Sequence, residues 1–469
     1  MKKIFLTTFF ITAFLFSFAQ DLDVSHFLRY QSQFYTDPAR LPDSRFYITI
    51  PALGTTQVSF LNSSFRYKKL FKTDADGYPV TITPNRFVNS LAEKNNFFNF
   101  SLNEEVFGFG FRVNRLSLGF DYRIRANFDM TYSRDLFGFF INGNMKYVGE
   151  SNAAQIDMGL SVNAYNEIGV NVAYQLEKLS FGVRPKLLLG LANAHTNEAS
   201  MQIFTDPDDY SVLLKYNVDA VVSYTIPSQW TVDLENMKFD FPMKGFTASQ
   251  VMRDILKNKG VGLDLGARYV PIEKLSVAAS VLDLGFIRWN VNTYRFGSQI
   301  HNGGKYYNNG GFLFEGLTME DVEDIRTGKF DAKNLMDSMK TYFPLDKGST
   351  SAYTVALQPR FVLQADYDLL KSLRVSAVAQ GVYLNQSFRP SFTLAVEKEF
   401  VDFIDLCAAY TISKKSFDNL AVAFSVRFGA LHVYFGTQSI MPLIDVTNLS
   451  KLTLTAGMYL KFGKVEVDD

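Results

Sequence analysis

Hydrolytic chemistry in this chain would have to pass through one of four histidines, His26, His195, His301 and His432. A Ser-His-Asp site needs an imidazole as general base beside a serine. His432 stands between Leu431 and Val433, and no Gly-x-Ser-x-Gly signature surrounds a serine near it. Packing or solvent exposure accounts for each histidine better than catalysis. Asp74-Ala75-Asp76-Gly77 opens like a calcium-binding loop, but Asn85 stands where the bidentate Glu is required, so the cage fails and a turn before Tyr78-Pro79 remains. Asp206-Pro207-Asp208-Asp209 reads as a hairpin turn, although external acids of this kind can hold divalent ions. Cys407, within Leu406-Cys407-Ala408-Ala409, reads as a small apolar strand residue. No P-loop or dinucleotide fingerprint occurs. The expectation is therefore no catalytic residue, no metal and no cofactor.

Asp121, Arg123 and Arg125 are more informative. They could form a network of ion pairs that fills an interior, or a cationic patch facing a carboxylate ligand. The segment that carries them decides where they point. From Arg115 to Asp129, Leu116, Leu118, Phe120, Tyr122, Ile124, Ala126 and Phe128 fall on one face. The charged and polar residues fall on the other, as the period of two in a strand requires. Such a strand extends about 50 Å, whereas strands of soluble proteins usually run about 5–6 residues.

The same alternation recurs at Ile156–Leu176, Leu179–Leu189, Val261–Tyr269, Phe361–Tyr367, Leu420–Phe428 and Leu452–Phe462. A soluble sandwich buries the apolar face. A membrane barrel turns it outward to lipid and lines its lumen with the polar one. Strand length, strand number and the N-terminus favour the barrel. Lys2 and Lys3 precede an apolar stretch to Phe16, and Ser17-Phe18-Ala19 offers a cleavage site before Gln20, the pattern of a secretory signal peptide over 1–19. No later apolar run reaches eighteen residues, so a helical membrane span is not expected. Of 469 residues, 47 are Lys or Arg and 47 Asp or Glu, which excludes the basic field of a nucleic-acid binder. Loss of Lys2 and Lys3 leaves 45 basic against 47 acidic side chains. A single cysteine excludes a disulfide framework.

Tight turns are expected near Asn114-Arg115, Glu177-Lys178, Glu273-Lys274, Leu370-Lys371 and Gly429-Ala430, and long connections at about 226–259 and 291–353. Barrels of the outer membrane have short periplasmic turns and longer external loops. With turns 273 and 370 in the periplasm, both insertions fall outside, and turn 429 and the chain end after Phe462 return to the periplasm. Helical spacing occurs at Thr247–Lys257, Met319–Ile325 and Leu335–Met339. Residues 20–95 would supply an N-terminal hatch and the first strands, and 96–469 the barrel. The count comes near 16 strands because 153–176 reads as one strand or two. Trp230 and Trp289 fit either interfacial girdles or loop packing.

Gly262-Leu263-Asp264-Leu265-Gly266-Ala267, Glu273-Lys274-Leu275-Ser276 and Val281-Leu282-Asp283-Leu284-Gly285-Phe286-Ile287-Arg288-Trp289 resemble a family of uncharacterised Gram-negative outer-membrane barrels. That family looks related to the FadL-like long-chain fatty-acid transporter superfamily. Tyr35-Thr36-Asp37-Pro38-Ala39 is similar to the Asn-Pro-Ala motif of the FadL-like hatch, with Asp37 in place of Asn. The resemblance implies an all-β transmembrane antiparallel barrel of about 14 strands, plugged by the hatch residues Asp37, Pro38 and Ala39. It implies an outer-membrane channel for a hydrophobic or amphipathic small molecule, in contact with outer-membrane lipid. That superfamily also includes a secretion-system barrel that binds protein. A scaffold docking another protein through its external loops is therefore the competing expectation. The apolar phase switches at Val281-Leu282, an expected bulge and a candidate gap in the wall.

Overall fold

The computed structural model describes residues 24–28, 34–63, 71–73, 79–82, 84–208, 212–225, 231–233, 238–240, 253, 256–297, 346–349, 351–384, 387–401, 403–412, 419–444 and 449–465. The expected helices at Met319–Ile325 and Leu335–Met339, most of Thr247–Lys257, the signal segment 1–19, Asp74-Ala75-Asp76-Gly77, Trp230 and His301 lie outside them.

One antiparallel sheet closes on itself in fourteen strands. They are β1 (Ser44–Thr49 continuing as Thr55–Asn62), β2 (Asn96–Val113), β3 (Leu116–Tyr132), β4 (Ala154–Leu176), β5 (Leu179–Thr205) and β6 (Val212–Tyr224 continuing as Lys259–Ile272). Next come β7 (Leu275–Trp289 continuing as Thr293–Gly297) and β8 (Asp346–Ser349, Tyr353–Ala356 and Arg360–Leu370). The series ends with β9 (Leu373–Leu384), β10 (Ser387–Val401), β11 (Ile404–Ile412), β12 (Leu420–Phe428), β13 (Leu431–Thr437) and β14 (Lys451–Lys464). Each pairs with its neighbour, and β14 returns to both halves of β1, with Tyr47 opposite Lys461 and Ser59 opposite Thr453. Closure removes every sheet edge, which a backbone surrounded by hydrocarbon requires.

The count is fourteen, and not near 16, for two reasons. Residues 154–176 form one unbroken strand of 23 residues. The two halves of β6 pair in line with the same neighbour: Tyr224 stands opposite Ala192 of β5, and Lys259 opposite Leu189. Residues 225–258 are thus an excursion within one strand. Likewise β7 runs on to Gly297 and β8 starts at Asp346, so strand occupies both ends of 291–353.

Apolar side chains face outward. Leu363 is 60 % exposed, Phe286 46 % and Leu394 47 %, while the interleaved Asp264, Arg184 and Thr453 are each 1 %. A sandwich would show the reverse. Short turns, two of them led by left-handed Asn114 and Glu177, lie at one end. The longer connections lie at the other, with helix α1 (Pro84–Ser90) packed through Phe87 and Val88 on helix α2 (Asp135–Asn142). The wall is uneven, since β5 has 27 residues and β13 has seven.

The wall is stitched where strands break. Between the halves of β1, Ala52 N–H donates to Val106 O at 2.8 Å and Met458 N–H to Leu53 O at 2.8 Å. At the Val281-Leu282 position the register slips: Leu263 faces Leu284 while Leu265 faces Val281. Leu282 and Asp283 then both turn inward, with Asp283 at φ 58°. On the other side Leu282 still pairs with Arg360, and Leu357 N–H donates to Gly285 O at 2.9 Å. The slip re-aims side chains rather than parting strands.

Outward orientation has a measurable consequence. Leu363→Arg is expected to cost about 2–4 kcal/mol of unfolding free energy in bilayers. Leu363→Phe should change it little. Urea titration in lipid vesicles checks both.

Candidate functional site

The inner wall carries a dense charge network on β3 to β8 and, on β7 to β12, small apolar residues set among polar ones such as Gln364, Thr393 and Ser425. On the charged side the polar positions of β3 to β8 converge. Arg184 of β5 is held by three carboxylates: Nη2 to Asp121 at 2.5 Å and Glu167 at 2.7 Å, and Nη1 to Asp264 at 2.8 Å. Lys186 Nζ bridges Asp264 and Asp283, each at 2.6 Å. Arg125 donates to Glu167 at 3.0 Å and Asp283 at 2.8 Å, and Arg360 reaches Asp283 at 2.9 Å. Arg123 approaches Glu167 at 3.6 Å. The slip in β7 is what delivers Asp283, whose backbone N–H also donates to Asp264 Oδ1 at 2.6 Å. Charges this buried persist only when paired and hydrogen-bonded. Asp121, Arg123 and Arg125 therefore belong to one lumen network, which also recruits Glu167, Arg184, Lys186, Asp264, Asp283 and Arg360. Asp264 and Asp283 lie within the two segments that carry the family resemblance, and the other four belong to no motif. What points any of them inward is placement on the wet side of an alternating strand; for Asp283 that signal is lost, because the slip changes the phase.

The chain before β1 occupies the space left. Phe34 and Tyr35 lie against the network, with the Arg123 guanidinium 3.9 Å and that of Arg184 5.1 Å from the Tyr35 ring centre. Asp37 Oδ2 accepts from Arg268 Nη2 at 2.6 Å. Pro38 O accepts from Asn171 Nδ2 at 3.4 Å. Gly182 and Gly266 give this backbone room: a Cβ on Gly182 would run into the Pro38 carbonyl, and one on Gly266 would stand 3.0 Å from Ala39 N. Asp37, Pro38 and Ala39 thus sit together against β4, β5 and β6, where Gly266 pairs with Ser280 next to the Val281-Leu282 slip.

A 3-10 turn, Val24–Phe27, crosses to the other side. Phe27 and Leu28 are buried against Leu282, Val362, Val378, Ala395, Cys407 and Ala423. These inward residues of β7 to β12 are small or apolar, unlike their counterparts on β3 to β6. Higher on β7, Ile287 and Trp289 join Tyr165, Leu188 and Leu357 in a second apolar cluster. Trp289 is fully buried there, in neither a girdle nor a loop.

His26 pins the turn. Its Nε2–H donates to Gln364 Oε1 at 2.7 Å, and Nδ1 accepts from the Thr36 hydroxyl at 2.5 Å. Gln364 Nε2 in turn donates to Asp366 Oδ1 at 2.7 Å. This relay fixes the neutral tautomer, and burial lowers the imidazole from 6.5 to about 4. His432 stacks on Tyr459 with ring centres 4.8 Å apart and has no serine partner in that contact. Cys407 is a buried free thiol among alanines. Among the described residues no cluster of three or more His, Cys, Asp or Glu could hold a metal ion.

A sequence profile described as a family of unknown function, DUF5723, matches residues 38–438. No curated protein matches the chain. Among solved structures, the chain is similar to the toluene transporter TbuX of Ralstonia pickettii, at 10 % identity and TM-score 0.42 over 91 % of this chain and 92 % of that one. It is similar to a FadL homologue of Pseudomonas aeruginosa, at 9 % and 0.41 over 95 % and 99 %. It is also similar to the translocator domain of the autotransporter NalP from Neisseria meningitidis, at 6 % and 0.33 over 92 % and 93 %.

Two outcomes follow from the geometry. Arg184→Met strands three buried carboxylates and is expected to cost on the order of 3–5 kcal/mol. Arg295→Met removes an exposed pair with Asp219 and should cost under about 1 kcal/mol; urea midpoints in vesicles compare them. For His26 the folded value lies below the unfolded one, so its stabilisation is complete above about 6.5 and is lost as pH falls toward about 4. Hydrogen exchange of residues 24–40 should accelerate from pH 7 to pH 5 relative to His26→Gln, after correction for intrinsic exchange.

Proposed function

The chain belongs to the family of unknown function DUF5723, and from that premise we propose that it is a hatch-gated conduit of the outer membrane for a hydrophobic or amphipathic small molecule. The observation that carries this reading is a pair of apolar patches on the inner wall, above and below the Asp283–Arg360 pair. Barrels that conduct water and ions have polar interiors. Here Trp289, Ile287 and Leu357 form one apolar cluster, and Leu282, Val362 and Val378 form another seven residues down the same strand, beneath Phe27 and Leu28. Wetting these patches is costly, and Phe27 and Leu28 cover the lower one at rest. When the hatch moves, the two patches offer an apolar cargo successive stations along the inner wall, one on the external side and one on the periplasmic side of the Asp283–Arg360 pair. Burial, not hydrogen bonding, would select the cargo, so the reading specifies solubility class rather than identity.

A second reading has its own observation. The network around Arg184 closes the other side of the lumen with complementary charge, as befits a sealed barrel that acts through its external surface.

A disulfide lock separates the two. Ala39→Cys with Gly266→Cys, in a Cys407→Ala background, ties hatch to wall where their atoms meet. Uptake of a labelled fatty acid by cells carrying the protein should fall to the level of cells lacking it when the lock is oxidised, and recover on reduction. Equal uptake with and without the protein would remove the conduit and leave the scaffold.

A further inference from the structure

Lys259 of β6 and Arg288 of β7 are direct register partners on the antiparallel pair. Both are exposed. Both share the outward face with Val261, Leu265 and Phe286, which are 56 %, 41 % and 46 % exposed. Like charges directly opposite each other on a sheet are destabilising. On the inner wall the buried cations of the network sit against carboxylates; this outward pair has none. The flanking register partners are Leu189 on β5 and Thr354 on β8, and neither cation makes an ion pair among the described residues. Exposed Lys257 adds to the positive field.

Height identifies what could sit between them. From the turn after Ile272, Lys259 is thirteen residues up its strand. At about 3.3 Å per residue and a tilt near 40°, that is roughly 30 Å above the periplasmic rim. Below it the outward residues are apolar down to Ile272. The cations therefore stand where an apolar band about 25 Å tall ends and lipid headgroups begin. A guanidinium fork beside an ammonium matches the oxygens of one phosphate.

We propose that Lys259 and Arg288 bind a phosphate of an outer-leaflet glycolipid, whose acyl chains lie along Val261, Leu265 and Phe286. The anion neutralises the repulsion of the pair and fixes the height of the barrel in the leaflet. The site lies on the outside of the wall, so it is independent of whether anything passes through the lumen.

The test is native mass spectrometry of the full-length protein in detergent, titrated with bisphosphorylated lipid A, dephosphorylated lipid A and inorganic phosphate. Lys259→Ala with Arg288→Ala is expected to weaken lipid A binding about tenfold or more. Dephosphorylated lipid A should bind wild type and variant alike. Thermal unfolding supplies a second reading: Lys259→Glu should raise the melting temperature in lipid-free micelles by converting repulsion to attraction, and wild type should overtake it when lipid A is added. Equal lipid A affinity in wild type and double variant would overturn the proposal. Saturation by inorganic phosphate alone would overturn the glycolipid assignment.

Discussion

A cation removed from water must be surrounded by its counter-charges, and Arg184 meets that demand with Asp121, Glu167 and Asp264 from three strands. Much of the interior follows from it. Arg184 binds β5 to β3, β4 and β6, and the remaining valences of the carboxylates draw in Arg125 and Lys186. Asp283 completes the set, and only a slipped register can aim it there. A buried network of this kind is weak evidence for net stability, because desolvation opposes its Coulomb energy. Its effect is on shape. It solidifies one side of the lumen and leaves the other lined by small apolar and polar residues.

The two sides need different closures. Charge is closed by charge and by aromatic faces, which Tyr35 and Phe34 supply to Arg123 and Arg184. Apolar wall is closed by burial, which Phe27 and Leu28 supply. The segment before β1 is held at separate points, the Asp37–Arg268 pair, the Pro38 backbone against Gly182, and the His26 relay. None of the three involves an ion pair of Arg184, which meets this segment only through the Phe34 and Tyr35 rings. Arg268 keeps Asp366 as a partner when Asp37 departs, at 3.4 Å.

The fold was legible because a strand in lipid must alternate without interruption. From Leu116 to Phe128 every second residue is apolar, and the structure turns all of them outward. The parity of the turns at 273, 370 and 429 was legible for the same reason. Strand number was not, because 154–176 has no internal break to count and the excursion 225–258 reads as a connection. The Asp121, Arg123 and Arg125 grouping was visible within one strand. Its partners on β4 to β8 were not, because sequence spacing carries no register across forty or more residues. The phase switch at Val281-Leu282 marked the slip, but not that it serves the Asp283 carboxylate. The apolar patch under Phe27 and Leu28 was the least legible feature: Ala395, Cys407 and Ala423 look like ordinary small residues until closure sets them side by side.

The account stands on Phe27 and Leu28 being the stopper of an apolar shaft, and Cys407 beneath them is a native reporter. Reaction of Cys407 with a small apolar thiol reagent, added outside intact cells, measures the seal most directly. The account predicts slow labelling in the wild type and labelling faster by an order of magnitude or more after Phe27→Gly with Leu28→Gly. Equal rates in the two proteins would contradict it.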